Sequence, residues 1–217
     1  MKVSLHNILL KSANSFLRKG IQPGHNGPYK DSETVIRANS HLAMLYLKCF
    51  EISGKGIYKK AATECLEVLF SKTARPHGYS FHHRNKKGKD KCNGLIGQAW
   101  CIEALMEGFR VLKDEKYKEL AKEVFFLHEF NDKFGYWKRR EIDGNILFYD
   151  KTFNHQLWFA ACGSLIPEAE YQVKKFLDKL EDNISIHKNG KIRHLVFAKY
   201  STPIYFVKDR KITRKYL

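Results

Sequence analysis

Residues 94–112, GLIGQAWCIEALMEGFRVL, are almost continuously apolar, whereas residues 116–127, KYKELAKEVFFL, are apolar on one side only. A helix that is apolar nearly all round has to be covered on most faces. Apolar residues spaced i, i+3, i+4, i+7 mark a helix with one wet face. In the second stretch Tyr117, Leu120, Ala121, Val124 and Leu127 form the dry side, and Lys118, Glu119, Lys122 and Glu123 the wet one. A short turn, Lys113-Asp114-Glu115, joins the two. The sequence therefore predicts a helical hairpin with an inner and an outer arm.

The same hairpin recurs on both sides. Val35 to Ile52 and Thr152 to Ile166 are further inner helices, and the latter holds no Asp, Glu, Lys or Arg. Tyr58 to Phe70 and Ala169 to Leu180 are further outer helices. Each outer helix opens on a tyrosine (Tyr58, Tyr117, Tyr171) and is followed by a glycine (Gly78, Gly135, Gly190), with spacings of 59 and 54 for the tyrosines and 57 and 55 for the glycines. Val3 to Arg18 reads as one more outer helix, with Gly27-Pro28-Tyr29 in the Gly-Tyr place. Repetition at this period marks a solenoid or closed array. The reading is an all-α, incomplete (α/α) toroid of repeated hairpins with roughly seven main helices. An open α-solenoid is the alternative. One domain covers 1–217, with repeats at about 30–80, 81–137 and 138–192. Residues 193–217 are ambiguous between a fourth inner helix and a strand-like tail.

Composition sets outer bounds. The chain has 217 residues, 43% hydrophobic and 13% aromatic, which argues for a packed core and against disorder. No apolar run approaches the roughly 20 residues that span a bilayer, and the first residues lack a signal-peptide pattern. Five cysteines with no paired spacing (Cys49, Cys65, Cys92, Cys101, Cys162) read as reduced thiols and point to the cytoplasm. A net charge of +16 would attract nucleic acid, anionic lipid or acidic polysaccharide. Lysines outnumber arginines and are spread along the chain, which disfavours nucleic acid, since arginine is the residue suited to planar phosphate recognition. The densest basic run, Arg84 to Lys91, falls in a loop and reads as an anion-binding lip or a solvated surface.

The stretches Asn93 to Leu105 and Thr152-Phe153-Asn154-His155-Gln156-Leu157-Trp158-Phe159-Ala160 resemble six-hairpin glycosidase-type proteins, in particular a group associated with bacterial polysaccharide biosynthesis loci. That superfamily includes N-acylglucosamine 2-epimerase-like enzymes and unsaturated glucuronyl hydrolases. The resemblance covers roughly residues 25 to 195 and implies a sugar-acting toroid. Six hairpins would take about 330 residues at this period, so about half a toroid is present. Three readings stay open: a shortened member, a toroid completed by a homodimer or a partner chain, or a fragment of a split gene.

In a toroid the inner-helix starts and the loops before them line a funnel, where free N–H groups favour carboxylates and sugar hydroxyls. The sequence places Asp31, Glu33, Arg37, Asn39 and His41 at the first start. His82, His83, Arg84, Asp90, Cys92, Asn93 and Gln98 stand at the second, and Glu141, Asp143, Asp150, Asn154, His155 and Gln156 at the third. Aligned repeats make His41, Gln98 and Gln156 equivalent, and Trp100 and Trp158 equivalent two residues on. Asp90, Asp150, His155 and the carboxylate Glu103 inside an apolar helix are the candidate acid–base residues. His41, Arg84, Asn93, Gln98, Trp100, Asn154, Gln156 and Trp158 are the candidate sugar-binding residues. Asn39, Asn93 and Asn154 also suit helix caps, and tryptophans in such helices more often belong to the core.

No Gly-rich phosphate loop, Cys-x-x-Cys, His-Glu-x-x-His or Gly-x-Ser-x-Gly occurs, and His82-His83 with Cys92 is a weak cluster, so no cofactor and no metal are expected. The expected ligand is a saccharide or polysaccharide, handled by epimerase-, lyase- or glycosidase-like chemistry in polysaccharide or glycoconjugate metabolism. A non-catalytic scaffold or glycan-binding subunit is the main alternative, and a nucleic-acid-binding repeat the lesser one.

Overall fold

A computed structural model describes residues 4–17, 34–147, 150–184 and 192. Asp31, Glu33, the Gly27-Pro28-Tyr29 landmark and the tail 193–217 lie outside the described residues. The helices follow the inner–outer alternation: α1 Leu5–Leu17, α2 Ile36–Ser53, α3 Gly56–Glu67, α4 Gly94–Leu112, α5 Glu115–Phe126, α6 Phe153–Gly163, α7 Glu170–Asp178 and a four-residue α8 Leu180–Asn183. Seven of these eight helices have nine residues or more, as the repeat predicts.

The inner helices α2, α4 and α6 lie side by side, and the outer helices pack on them. The face assignments hold for α3 and α5 but not for all of α7, where Tyr171 and Leu177, expected on the dry side, are 63% and 53% exposed and Phe176 is the buried residue. Tyr58, Ala61, Ala62, Cys65 and Leu66 are the buried side of α3, and Tyr117, Leu120, Ala121, Val124 and Phe125 that of α5. One aromatic knot joins the last two hairpins: Phe125 stacks on Phe159 with ring centroids 4.7 Å apart, and Trp137 meets both rings edge-on. Trp137 is fully buried and donates its indole N–H to Gln172 at 3.0 Å, which satisfies its polar atom.

The turns between arms differ in chemistry. α2 ends on Gly54 at φ +67°, whose N–H bonds to the Phe50 carbonyl. α4 ends in the same left-handed geometry on Lys113 at φ +61°, bonded to the Phe109 carbonyl. A side chain there costs on the order of 1 kcal/mol. α5 opens on Asp114, which accepts from the Lys116 amide.

The loop before α6 contains two small antiparallel hairpins that the sequence reading did not foresee. β1 Phe130–Asn131 pairs with β2 Tyr136–Trp137, and β3 Arg139–Arg140 with β4 Ile146–Leu147. They carry polar side chains toward the starts of α4 and α6. All five cysteines are free and buried. Among the described residues, no helix is long and apolar enough to cross a membrane.

Candidate active site at the inner-helix starts

The first turn of α4 has unpaired backbone N–H groups that need acceptors. Two carboxylates supply them. Asp90, from the preceding loop, accepts from the Gly94 amide at 2.7 Å. Asp150, from the next repeat, accepts from the Leu95 amide at 2.8 Å and also from the Thr152 amide at 3.1 Å. Asp150 thus ties the start of α4 to the start of α6.

The expectation that asparagines cap these helices is corrected. Asn93 sits at the N-cap position of α4 with φ +57° and makes no capping bond. Asn39 lies inside α2, donating to the Val35 carbonyl and accepting from the Cys65 thiol. Asn154 is exposed within the first turn of α6.

Asp150 also holds His155: Nδ1 lies 2.7 Å from Oδ2. Asp150 is buried, whereas His155 keeps 22% of its side chain in solvent. Burial raises the Asp150 carboxyl, but the His155 contact and the Leu95 and Thr152 amides outweigh it and hold it below the ordinary value. With Nδ1 engaged, Nε2 is the nitrogen left for a substrate. Gly94 makes room for this pair. A Cβ there would lie 2.4 Å from both Asp150 Oδ2 and His155 Nδ1, and φ is +62°.

Asp90 has a different setting. Arg84 forms an ion pair with it, and Arg139 lies 3.6 Å away. Arg139 also approaches Glu141 at 3.1 Å. Burial raises the Asp90 carboxyl, but Arg139, Arg84 and the Gly94 amide bring it below the ordinary value. The Arg84–Lys91 run is therefore not uniformly solvated: Arg84 is buried on Asp90, and Asn85 to Lys89 are exposed. Asp90, Cys92 and Glu141 bring potential metal-ligand atoms within 4.8 Å of one another. Two guanidinium groups already neutralise these carboxylates, and burial pushes the Cys92 thiol well up, so the cluster is an ion-pair network. It borders a cleft of about 400 Å³ that Lys89, Lys91 and Asp143 also line.

Gln98 and Gln156 are corrected as sugar ligands. Both are fully buried. Gln98 accepts from the Phe81 amide and donates to the Phe81 and Cys92 carbonyls. Gln156 does the same with the Trp137 amide and the Trp137 and Asp150 carbonyls. Their donors are spent on pinning each loop to its own inner helix.

A second group lies further along the inner helices. Trp100 is half-buried, with the Arg37 guanidinium 4.5 Å from its ring centre and the exposed His41 edge-on at 5.2 Å. Trp158 is 45% exposed and donates its indole N–H to Glu103 at 3.3 Å. Burial raises Glu103 above the ordinary value, against the opposing Trp158 bond. So Glu103 is paired, as expected of a carboxylate in an apolar helix, and Trp158 is not a core residue. The sequence reading missed Arg139, which had no signal beyond a basic pair in a loop. It also missed His128, fully buried between Phe159 and the Arg140 amide.

No protein-family model matches the chain. Among solved structures, the chain is similar to the cellobiose 2-epimerase of Spirochaeta thermophila, with a TM-score of 0.54, 15% identity, and 88% of this chain and 61% of that one covered. This is the six-hairpin, α/α-toroid fold, present in part. At that identity the likeness concerns the fold alone. The half-toroid is also similar to archaeal glycosylation protein Q of Haloferax volcanii, 45% identical over 201 residues, covering 88% of this chain and 54% of that protein. The half-toroid therefore spans about half the length of the curated relative it matches. That relative is archaeal, which moves the kinship away from the bacterial loci that the sequence motifs suggested.

Proposed function

We propose that the half-toroid is a carbohydrate-acting protein of glycosylation in which His155, oriented by Asp150, moves a proton on a sugar bound at the inner-helix starts. The 2.7 Å Asp150–His155 contact carries this reading. A buried carboxylate that fixes one imidazole nitrogen leaves the other as a general base. The names of the two similar proteins, a glycosylation protein and a sugar epimerase, support the same substrate class.

Epimerase- or lyase-like proton abstraction fits better than hydrolysis by two carboxylates. Hydrolysis needs one carboxyl kept protonated. Asp90 and Asp150 are both held below the ordinary carboxylate value and committed to helix amides. Glu103, raised by burial, is the better acid.

The test is deuterium wash-in. The protein is incubated in D2O with free, nucleotide-linked and lipid-linked sugars, and label at ring carbons is read by mass spectrometry. Wash-in that His155→Gln abolishes supports the reading; its absence with every sugar, or its survival in His155→Gln, overturns it. The exposed, pinned ring of Trp158 favours a second reading, glycan binding without turnover. Binding lost in Trp158→Ala and kept in His155→Gln, without wash-in, would select it.

A further inference from the structure

Arg139 differs from the other two guanidinium groups near the inner-helix starts. Arg84 donates to the Asp90 carboxylate and backbone carbonyl, and Arg140 to the Leu127 and Gly144 carbonyls. Arg139 makes no side-chain hydrogen bond among the described residues. Its Nε is buried, and Glu141 Oε1, at 3.1 Å, lies too far off the N–H axis to accept from it. Asp90 Oδ2 is 3.6 Å from Nη1, beyond hydrogen-bond reach. Nη1 and Nη2 are thus the end of the side chain that meets the cleft of about 400 Å³. A mostly buried guanidinium has five N–H donors to satisfy, and leaving them without acceptors is costly. The fold itself does not call for a guanidinium at this place. Phe81 and Trp137 are clamped by equivalent glutamines, so His83 and Arg139, each two residues further on, are equivalent positions. The preceding repeat fills that position with a fully buried imidazole against Cys101 and Trp100.

The acidic groups of the cleft are largely committed. Asp90 accepts from Arg84, from the Gly94 amide and from the Cys92 thiol, and Asp143 accepts from the Asn145 amide and carboxamide. Lys91 is exposed on the same cleft, and its ammonium has no ion-pair or hydrogen-bond partner among the described residues. The two lysines and two arginines around the cleft outnumber its three carboxylates. We propose that this cleft is an anion subsite, in which the Nη1–Nη2 fork of Arg139 holds two oxygens of a carboxylate or phosphate carried by the sugar, with Lys91 at the rim. The planar fork matches either group oxygen for oxygen. The subsite adjoins the acid–base pair. Asp90, beside Arg139, accepts from the Gly94 amide, Asp150 accepts from the next one, and the Asp150 charge acts on Arg139. An anion held there anchors a sugar next to His155. The proposal rests on the reading that a sugar binds at the inner-helix starts, and it names the charge that sugar carries.

The test is a heteronuclear NMR titration with inorganic phosphate, D-glucuronate and D-glucose. Phosphate or glucuronate should shift the Gly94 amide and the Arg139 Nε–H signals saturably, and glucose at the same concentration should leave the Arg139 signal in place. The tighter of the two anions identifies the group as phosphate or carboxylate. Arg139→Gln should weaken anion binding at least about tenfold with the helical circular dichroism unchanged. Arg139→Lys, which keeps the charge without the fork, should not restore it. Lys91→Ala, at an exposed site, should weaken binding about threefold, and it decides the matter if Arg139→Gln does not fold. Lys60→Ala, on the outer helix α3, should change nothing. No saturable shift with either anion overturns the proposal. So does binding that survives Arg139→Gln, or binding that Lys60→Ala weakens as much as Lys91→Ala. The titration requires no turnover: anion binding without deuterium wash-in would sink the proton-transfer reading alone, and wash-in without anion binding would sink the subsite alone.

Discussion

Gln98 and Gln156, one repeat apart, make the same set of hydrogen bonds: an amide and a carbonyl of the aromatic residue that enters the core, and the carbonyl six residues upstream. The bond set makes the repeat physical. Each loop leaves its outer helix, buries Phe81 or Trp137, and is clamped by the inner helix it leads into. Gln98→Ala would strand an amide and two carbonyls, each buried polar group costing about 1–3 kcal/mol. Urea unfolding should therefore show a loss of about 3 kcal/mol or more. A loss below about 1 kcal/mol would mean that water replaces the carboxamide.

Much of this was legible in the sequence. α4 runs over the apolar stretch that the pattern marks, because its turn residues and its change of periodicity coincide. The two-residue strands of the 130–147 loop are too short to show a period. The glutamines were misread for a physical reason: a carboxamide near the start of an apolar helix looks the same whether it binds a sugar or a backbone. Similarly, Asp90 and Asp150 cap α4 where Asn93 stands at the cap position. Asp90 lies close enough in sequence to have been weighed as a cap; Asp150, a full repeat away, does not.

Gly94 is the test of how the acid–base pair is seated. Gly94→Ala places a methyl group 2.4 Å from both Asp150 Oδ2 and His155 Nδ1 and forces a left-handed φ on alanine. The pair must separate or α4 must lose its first turn. The His155 ring resonances should shift and any activity that depends on the pair should fall. Unchanged His155 ring resonances in Gly94→Ala would show that the pair does not depend on this approach.

Lys113 offers a gain in stability. It holds a left-handed turn at φ +61° that Gly54 fills in the preceding hairpin. Lys113→Gly should stabilise the protein by up to about 1 kcal/mol, less the entropy glycine adds to the unfolded chain. Thermal unfolding of Lys113→Gly beside Lys113→Ala separates the two effects, since alanine keeps the strain.

The buried histidines should dominate acid stability. Burial is the main cause that lowers His83 and His128 from 6.5 to about 3 in the folded protein. Between those values the unfolded chain binds protons that the folded one does not. Stability must therefore rise with pH across that window and fall as the pH drops. Asp150, also depressed, adds a loss of the same sign below the ordinary aspartate value. Each histidine contributes a slope of up to about 1.4 kcal/mol per pH unit. Neither His83 Nδ1 nor His128 Nε2 has a hydrogen-bond partner, and the backbone contacts of Gly97 with His83 and of Lys138 with His128, with Asp150 near the latter, oppose the burial without cancelling it. Unfolding free energies measured from pH 7 downward should decline, and His128→Phe should remove about half of the histidine part of that slope. A flat profile above pH 4 would mean that water reaches these rings.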